Sequence, residues 1–227
     1  AIEERLSHDE QLKMCIPCAT GIRVFNQDAF EALITFIISA NNNIGRIAGI
    51  VERLCALCGE RAELDGKEYF LFPKPDAIAA REESELLAIG AGYRAPYIIK
   101  SARRIAEGYG LEKLRDMPLD AARKELLTFY GVGPKVADCV LLFGLGHTDA
   151  FPVDVWIGRA LSEIYFGGEK ARRQETERAI RALGSESGIV QQYIFHYARQ
   201  NAIGKKQNAK KIGKKGETVV DTGAALC

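Results

Sequence analysis

The chain is predicted to be all-α, on three observations. Apolar residues recur at helical spacing through most of residues 28–200. Glycines and prolines punctuate that stretch at short intervals, with capping residues where the segments begin. No alternating apolar–polar pattern runs longer than a few residues, and 22–25 is the best strand candidate.

Taken in order, Asp28-Ala29-Phe30-Glu31 places an acid at a cap and a glutamate three residues on, ahead of the apolar run 32–40. The next helix begins near Ile44 and is closed by Gly59 and the charged stretch 60–68. Pro73 and Pro75 mark a loop, and Leu86, Leu87 and Ile89 form a short helix ended by Gly90-Ala91-Gly92. A helix over about 94–108 ends at Gly108. Pro118 opens another that runs to Phe129, and Gly131-Val132-Gly133 turns the chain into a helix over 135–145. Pro152-Val153-Asp154 is an extended entry whose aspartate caps a helix to about Phe166. Two amphipathic helices near 170–183 and 187–200 complete a helical domain over 21–203. Residues 1–20 are an N-terminal segment, and 204–227 a basic flexible tail too poor in apolar residues to form a core.

Composition bounds the function. With 47% hydrophobic and 27% charged residues the chain is an ordinary soluble globular protein, and no apolar run approaches the ~20 residues of a membrane span. Residues 1–10 hold four acids and no signal-peptide core, so the expected location is the cytoplasm (nucleoid) of a prokaryote or the nucleus of a eukaryote. Of the 31 Lys+Arg and 30 Asp+Glu, six lysines and only two acids lie beyond residue 200, which leaves 25 bases and 28 acids before it. Bulk charge therefore does not argue for nucleic acid; any such binding must come from local donors, with the tail adding sequence-blind attraction. Cys15-x-x-Cys18 and Cys55-x-x-Cys58 lie far apart and lack turn glycines, so they read as buried thiols and no metal site is expected.

The segment 126–139 carries the most chemistry. Gly131 and Gly133 permit a tight reversal and leave backbone N–H groups uncovered at the start of the following helix, where the dipole favours an anion. A DNA phosphate suits that nest; a plain helix–turn–helix whose glycines only save space is the other reading. Lys135 stands two residues past the second glycine, where the dipole disfavours a cation. Held there among Val136, Val140 and Leu141, its ammonium form is disfavoured and its amine is available as a nucleophile toward a sugar C1′. Asp154 follows 19 residues later, suited both to capping a helix and to stabilising positive charge on that sugar.

Four motifs in one order now carry a resemblance: Ser39-Ala40-Asn41-Asn42-Asn43-Ile44-Gly45-Arg46, Gly90-Ala91-Gly92-Tyr93-Arg94-Ala95, the segment Gly131 to Cys139, and Val153-Asp154-Val155. From about Gly21 to Arg199 the chain is similar to the helix–hairpin–helix DNA glycosylase superfamily, and within it most to 8-oxoguanine DNA glycosylase/lyases. The resemblance implies two helical lobes with a cleft and a hairpin at about 119–145. Against eukaryotic members, which carry a large N-terminal β-containing lobe, the given sequence is expected to be either a fragment or a compact form lacking that lobe, with residues 1–20 its remnant. The resemblance also implies base flipping on duplex DNA containing an oxidised purine, by a monomer without cofactor. Lys135 and Asp154 match the catalytic pair. Asn41, Arg46 and Arg94 match residues that bond the orphaned cytosine, Tyr93 a wedge between bases, and Gly131 and Gly133 the phosphate-binding turn. Pro152, Cys139 and Gln192 match the lesion pocket, and the carbonyls of Leu127, Phe129 and Val132 a monovalent-cation site.

Two positions depart from the family pattern. Trp156 stands where a histidine is usual. The base-stacking aromatic aligns with His196 or, shifted by one, Phe195; helix phase favours His196, one turn from Gln192. Two other functions stay open on the residues: a monofunctional glycosylase for alkylated bases that uses Asp154, and a non-catalytic helix–hairpin–helix module that binds DNA.

Overall fold

The computed structural model describes residues 2–169 and 172–201. They form α1 (Ile2–Ser7), α2 (Ile16–Ala19), α3 (Ala29–Ser39), α4 (Ile44–Cys58), β1 (Arg61–Leu64), β2 (Lys67–Phe70), α5 (Pro75–Ala79) and α6 (Glu83–Ala88). There follow α7 (Ala95–Ala106), α8 (Leu119–Leu126), α9 (Pro134–Gly144), α10 (Val155–Tyr165), α11 (Arg173–Ala182) and α12 over 187–201. The basic tail expected at 204–227 lies outside the described residues.

The all-α expectation holds, with one addition. The charged stretch 60–68, expected to close α4, instead enters an antiparallel hairpin in which Arg61 faces Phe70 and Leu64 faces Lys67. Asp65 (φ 52°) and Gly66 (φ 72°) make its turn, both in the left-handed region that a two-residue hairpin loop requires. No strand forms at 22–25; α4 itself ends at Cys58 with Gly59 as C-cap.

Contacts divide the chain into two compact units. The larger holds Arg23–Pro152 and Leu183–Ile189. Its centre is α3 packed along α9. Asp28 Oδ1 accepts the Glu31 N–H at 2.9 Å and starts α3, whose Leu33, Ile34, Ile37 and Ile38 are fully buried. From α9 come Val136, Ala137, Val140, Leu141 and Leu142, and each such larger apolar side chain contributes about 1.5–3 kcal/mol on burial. Gly144 lets the two helices cross closely, since a Cβ there would meet Ala32 Cβ at 3.0 Å and Ala29 Cα at 3.1 Å. Helix α7 lays Ala95, Ile98, Ile99 and Ala102 against this core and α5 packs on it.

The smaller unit joins the N-terminal residues to Val153–Ala182 and the residues from Val190 onward. Leu6, Leu12, Cys15, Ala19, Ile157, Leu161, Val190, Tyr193 and Ile194 are among its buried residues. Glu3 ties it together: its Oε1 accepts from the Gly21 N–H and from the Tyr193 hydroxyl, each at 3.0 Å.

Candidate functional site

In the larger unit three loops converge on two aromatic rings. The first leaves α3 through Ala40 and Asn41, the latter at φ 48°, before the Asn43 side chain caps α4 by accepting the Arg46 N–H at 3.0 Å. The second is the Gly90–Gly92 turn into Tyr93 and Arg94. The third is the turn Gly131–Gly133 between α8 and α9.

Arg94 joins the first two loops. It is only 4% exposed, and its Nε donates to Ala40 O at 2.9 Å, its Nη2 to Ala40 O and to Asn41 O, and its Nη1 to Ala91 O at 3.3 Å. Its guanidinium also lies 4.3 Å from the Tyr93 ring centroid. The residue expected to offer its donors to an orphaned base therefore commits all three of its nitrogens to the protein backbone. Tyr93 remains 54% exposed, with its hydroxyl on Ala40 O at 3.2 Å. A ring fixed on one face by a guanidinium and at its edge by Tyr97 (centroids 6.2 Å, 75°) has the rigidity a wedge needs. Asn41 is exposed on the neighbouring loop, where its carbonyl meets Arg94, so the structure brings Asn41, Tyr93 and Arg94 together; Arg46 is exposed on the first turn of α4, which that loop enters.

Tyr97 escaped the sequence reading, although its place one helical turn after Tyr93 was a signal for an aromatic pair. It also explains the first hairpin glycine. Gly131 adopts φ 76°, and a Cβ there would lie 2.5 Å from Tyr97 Cδ2. Gly133 differs: it is extended (φ −95°), it is the N-cap of α9, and nothing lies within 4 Å of its Cβ position. That open face lies beside the first turn of α9, which has no side-chain cap, so its N–H groups remain for an outside acceptor. Of the three carbonyls named for a cation, Phe129 O already accepts the Val132 N–H at 3.2 Å and keeps its second lone pair.

Lys135 occupies the second position of α9, half-buried. Its Nζ lies 5.1 Å from the centroid of Phe36, which stacks on Phe143. Among the described residues it makes no ion pair. Cys139 follows one turn later, 3% exposed. Between them Asp138 is buried against Arg123, whose Nε donates to its Oδ1 at 2.7 Å. Burial pushes that carboxyl above its ordinary pKa, and the arginine opposes the shift. Pro152 is buried at the end of this unit.

In the smaller unit Asp154 caps α10, its Oδ1 accepting the Ile157 N–H at 2.8 Å. One oxygen serves the cap, and a carboxylate has two. Trp156, on the first turn, is 44% exposed. On α12 the half-buried Gln192 donates its amide to Gln191 Oε1, and His196 is exposed one turn on. Phe195 instead sits under Arg199 at 5.7 Å. Within the cysteine pairs, burial pushes the Cys15 thiol up to about 12 and the Cys58 thiol up to about 11, which disfavours the thiolate of each. Among the described residues no three His, Cys, Asp or Glu side chains are grouped to hold a metal.

Residues 34–186 match the family model described as HhH-GPD superfamily base excision DNA repair protein. A probable N-glycosylase/DNA lyase of Methanothermobacter thermautotrophicus is 35% identical over 215 residues, which are 86% of this chain and 69% of that protein. The N-glycosylase/DNA lyase of Saccharomyces cerevisiae is 38% identical over 158 residues, 64% of this chain but 42% of the yeast protein. Among solved structures, the Clostridium acetobutylicum 8-oxoguanine glycosylase/lyase bound to duplex DNA with cytosine opposite the lesion superposes with a TM-score of 0.84. It is 37% identical, and the match covers 88% of this chain and 70% of that one.

Proposed function

The chain belongs to the HhH-GPD superfamily of base excision DNA repair proteins, and from that premise we propose that it is a DNA glycosylase with lyase activity that removes 8-oxoguanine from duplex DNA. The observation that carries the reading is Lys135: an amine without an ion pair among the described residues, on the first turn of a helix entered through an open glycine turn.

The steps follow from that placement. The N–H groups of the turn and of the first turn of α9 hold a backbone phosphate near the flipped nucleotide. The unprotonated Lys135 Nζ attacks C1′ as the bond from C1′ to the base breaks; the base leaves with the bonding electrons and takes up a proton. Ring opening of the sugar yields a protonated Schiff base on Nζ. Loss of a C2′ proton then expels the 3′ phosphate by β-elimination, and water hydrolyses the imine to restore the lysine. Asp154 stabilises the positive charge that develops on the sugar. Cys139, Pro152, Gln192, Trp156 and His196 are assigned to the base pocket. Asn41 and Arg46 are assigned to the orphaned partner and Tyr93 to the gap in the stack, where an aromatic ring replaces lost stacking. The carbonyls of Leu127, Phe129 and Val132 are oxygen donors of the kind a hard cation takes.

Borohydride reduction tests the proposal. With 8-oxoguanine duplexes the wild type is expected to yield a covalent protein–DNA adduct, and Lys135→Gln none, while still binding the lesion. Base release without trapping would identify a monofunctional glycosylase, and binding without base release a non-catalytic module; either overturns the lyase assignment.

A further inference from the structure

Tyr130 immediately precedes the hairpin turn and is 58% exposed. Nothing in the core accounts for an aromatic ring there. Over it lies the exposed Lys100, with its Nζ 4.2 Å from the ring centroid. Lys100 stands on α7 one turn beyond Tyr97, the residue whose ring abuts Gly131. Helix α7 thus presents, on consecutive turns, Tyr97, which both partners the Tyr93 ring and supports the turn at Gly131, and then a cation, Lys100.

Neighbouring cations are differently engaged. Arg104 lies 4.2 Å from the Tyr109 ring and 4.1 Å from the Phe129 ring, and its Nη1 donates to the Thr128 hydroxyl at 2.7 Å. Arg123 is paired with Asp120 and Asp138. Among the described residues Lys100 makes no ion pair, and its partner is the face of Tyr130. A cation held on a ring by one side keeps its other N–H groups for an anion, and the ring limits the side-chain freedom lost on binding. Gly133 lies three positions beyond Tyr130, an extended reach of no more than ~11 Å between their Cα atoms. An anion at Lys100 is therefore a near neighbour of one at the turn.

We infer that Lys100, anchored on Tyr130, is a second seat for a DNA backbone phosphate, flanking the one at Gly131–Gly133. The inference rests on the DNA-binding part of the proposed function, not on its chemistry. It explains why an exposed tyrosine sits at the hairpin and why a lysine of α7 with no ion pair among the described residues lies over it, and it adds one charge–phosphate contact without any reading of sequence.

The test is fluorescence-anisotropy titration of the full chain with an undamaged duplex and with one carrying a stable abasic-site analogue, over a series of salt concentrations. Lys100→Met is expected to raise Kd about 3- to 10-fold on both duplexes and to make the slope of log K against log salt shallower by about 0.9. Lys100→Arg should restore the slope. Tyr130→Phe should stay within about twofold of wild type and Tyr130→Leu should weaken binding, since the ring face and not the hydroxyl anchors the cation. An unchanged slope in Lys100→Met, with wild type binding DNA, overturns the second seat and leaves the proposed function standing. Wild-type affinity in Tyr130→Leu overturns the anchoring. Failure of the wild type to bind either duplex overturns both the seat and the function on which it rests.

Discussion

Arg94 reaches from the start of α7 to the carbonyls of Ala40 and Asn41, and Asn41 sits at φ 48° beneath that clamp. A single buried guanidinium therefore fixes the loop that carries Asn41 and, through its face, the ring of Tyr93. This separates two arginines that the sequence presents alike. Arg94→Met should cost about 3 kcal/mol in urea denaturation, because it strips charged donors from carbonyls that the buried guanidinium shields from solvent wholly or in part. Arg46→Met, at an exposed site, should stay within about 0.5 kcal/mol and lose affinity for the orphaned base. Equal stability of the two variants would rule out the clamp.

The two hairpin glycines should likewise part company. Gly131→Ala forces a Cβ onto Tyr97 in a left-handed backbone and should destabilise by about 2–4 kcal/mol. Gly133→Ala meets no protein atom within 4 Å and should change stability by less than about 1 kcal/mol. Its effect should fall on duplex binding, since the added methyl stands where a phosphate would approach. Calorimetry and anisotropy on the two variants decide this, and a Gly133→Ala protein with wild-type affinity would contradict the phosphate nest.

Much of this was legible beforehand, for identifiable reasons. Asp28, Asn43 and Asp154 are local signals, because a cap is read within three residues of itself. The turn Gly131–Gly133 announced itself by two glycines between apolar helical runs. The hairpin 61–70 was missed because its strands are charged and exposed on both faces, giving no alternation; Asp65-Gly66 was the signal available. The burial of Arg94 could not be read at all. Two of its three acceptor carbonyls, those of Ala40 and Asn41, come from residues more than fifty positions away, and nothing local distinguishes an arginine that faces a carbonyl from one that faces solvent. The place of Lys135 over Phe36 is hidden for the same reason, since it depends on how α3 crosses α9.

The Arg123–Asp138 pair predicts a pH dependence. Their side chains are 26% and 12% exposed, and burial raises the Asp138 pKa above its ordinary value of 3.8. A carboxyl so raised favours the folded state while protonated, and that advantage is lost as pH rises through its folded pKa. Arg123 offsets the cost of the charged form. In Arg123→Gln the offset disappears, so the variant should be about 2–3 kcal/mol less stable at pH 7. The deficit should shrink as pH is lowered toward 4, and Asp138→Asn in the same chain should remove most of it. Urea unfolding at pH 7, 5.5 and 4.5 measures this; a deficit that stays constant with pH would contradict the assignment.

Asp154 is both a helix cap and the proposed electrostatic partner of the reaction, and two substitutions separate the roles. In Asp154→Asn the amide oxygen can still accept the Ile157 N–H, so α10 should keep its cap and stability should change by less than about 0.5 kcal/mol. Asp154→Ala loses the acceptor and should cost about 1 kcal/mol. If the carboxylate stabilises charge on the sugar, both variants should lose base release by about 10²-fold or more, because neither carries the charge. Their affinity for undamaged duplex should equal or exceed that of wild type, since a negative charge near phosphates has been removed. Single-turnover base release and unfolding curves on the two proteins give the answer. An asparagine variant that releases the base at the wild-type rate while the alanine variant does not would leave Asp154 a cap alone, and the charge stabilisation would have to come from elsewhere.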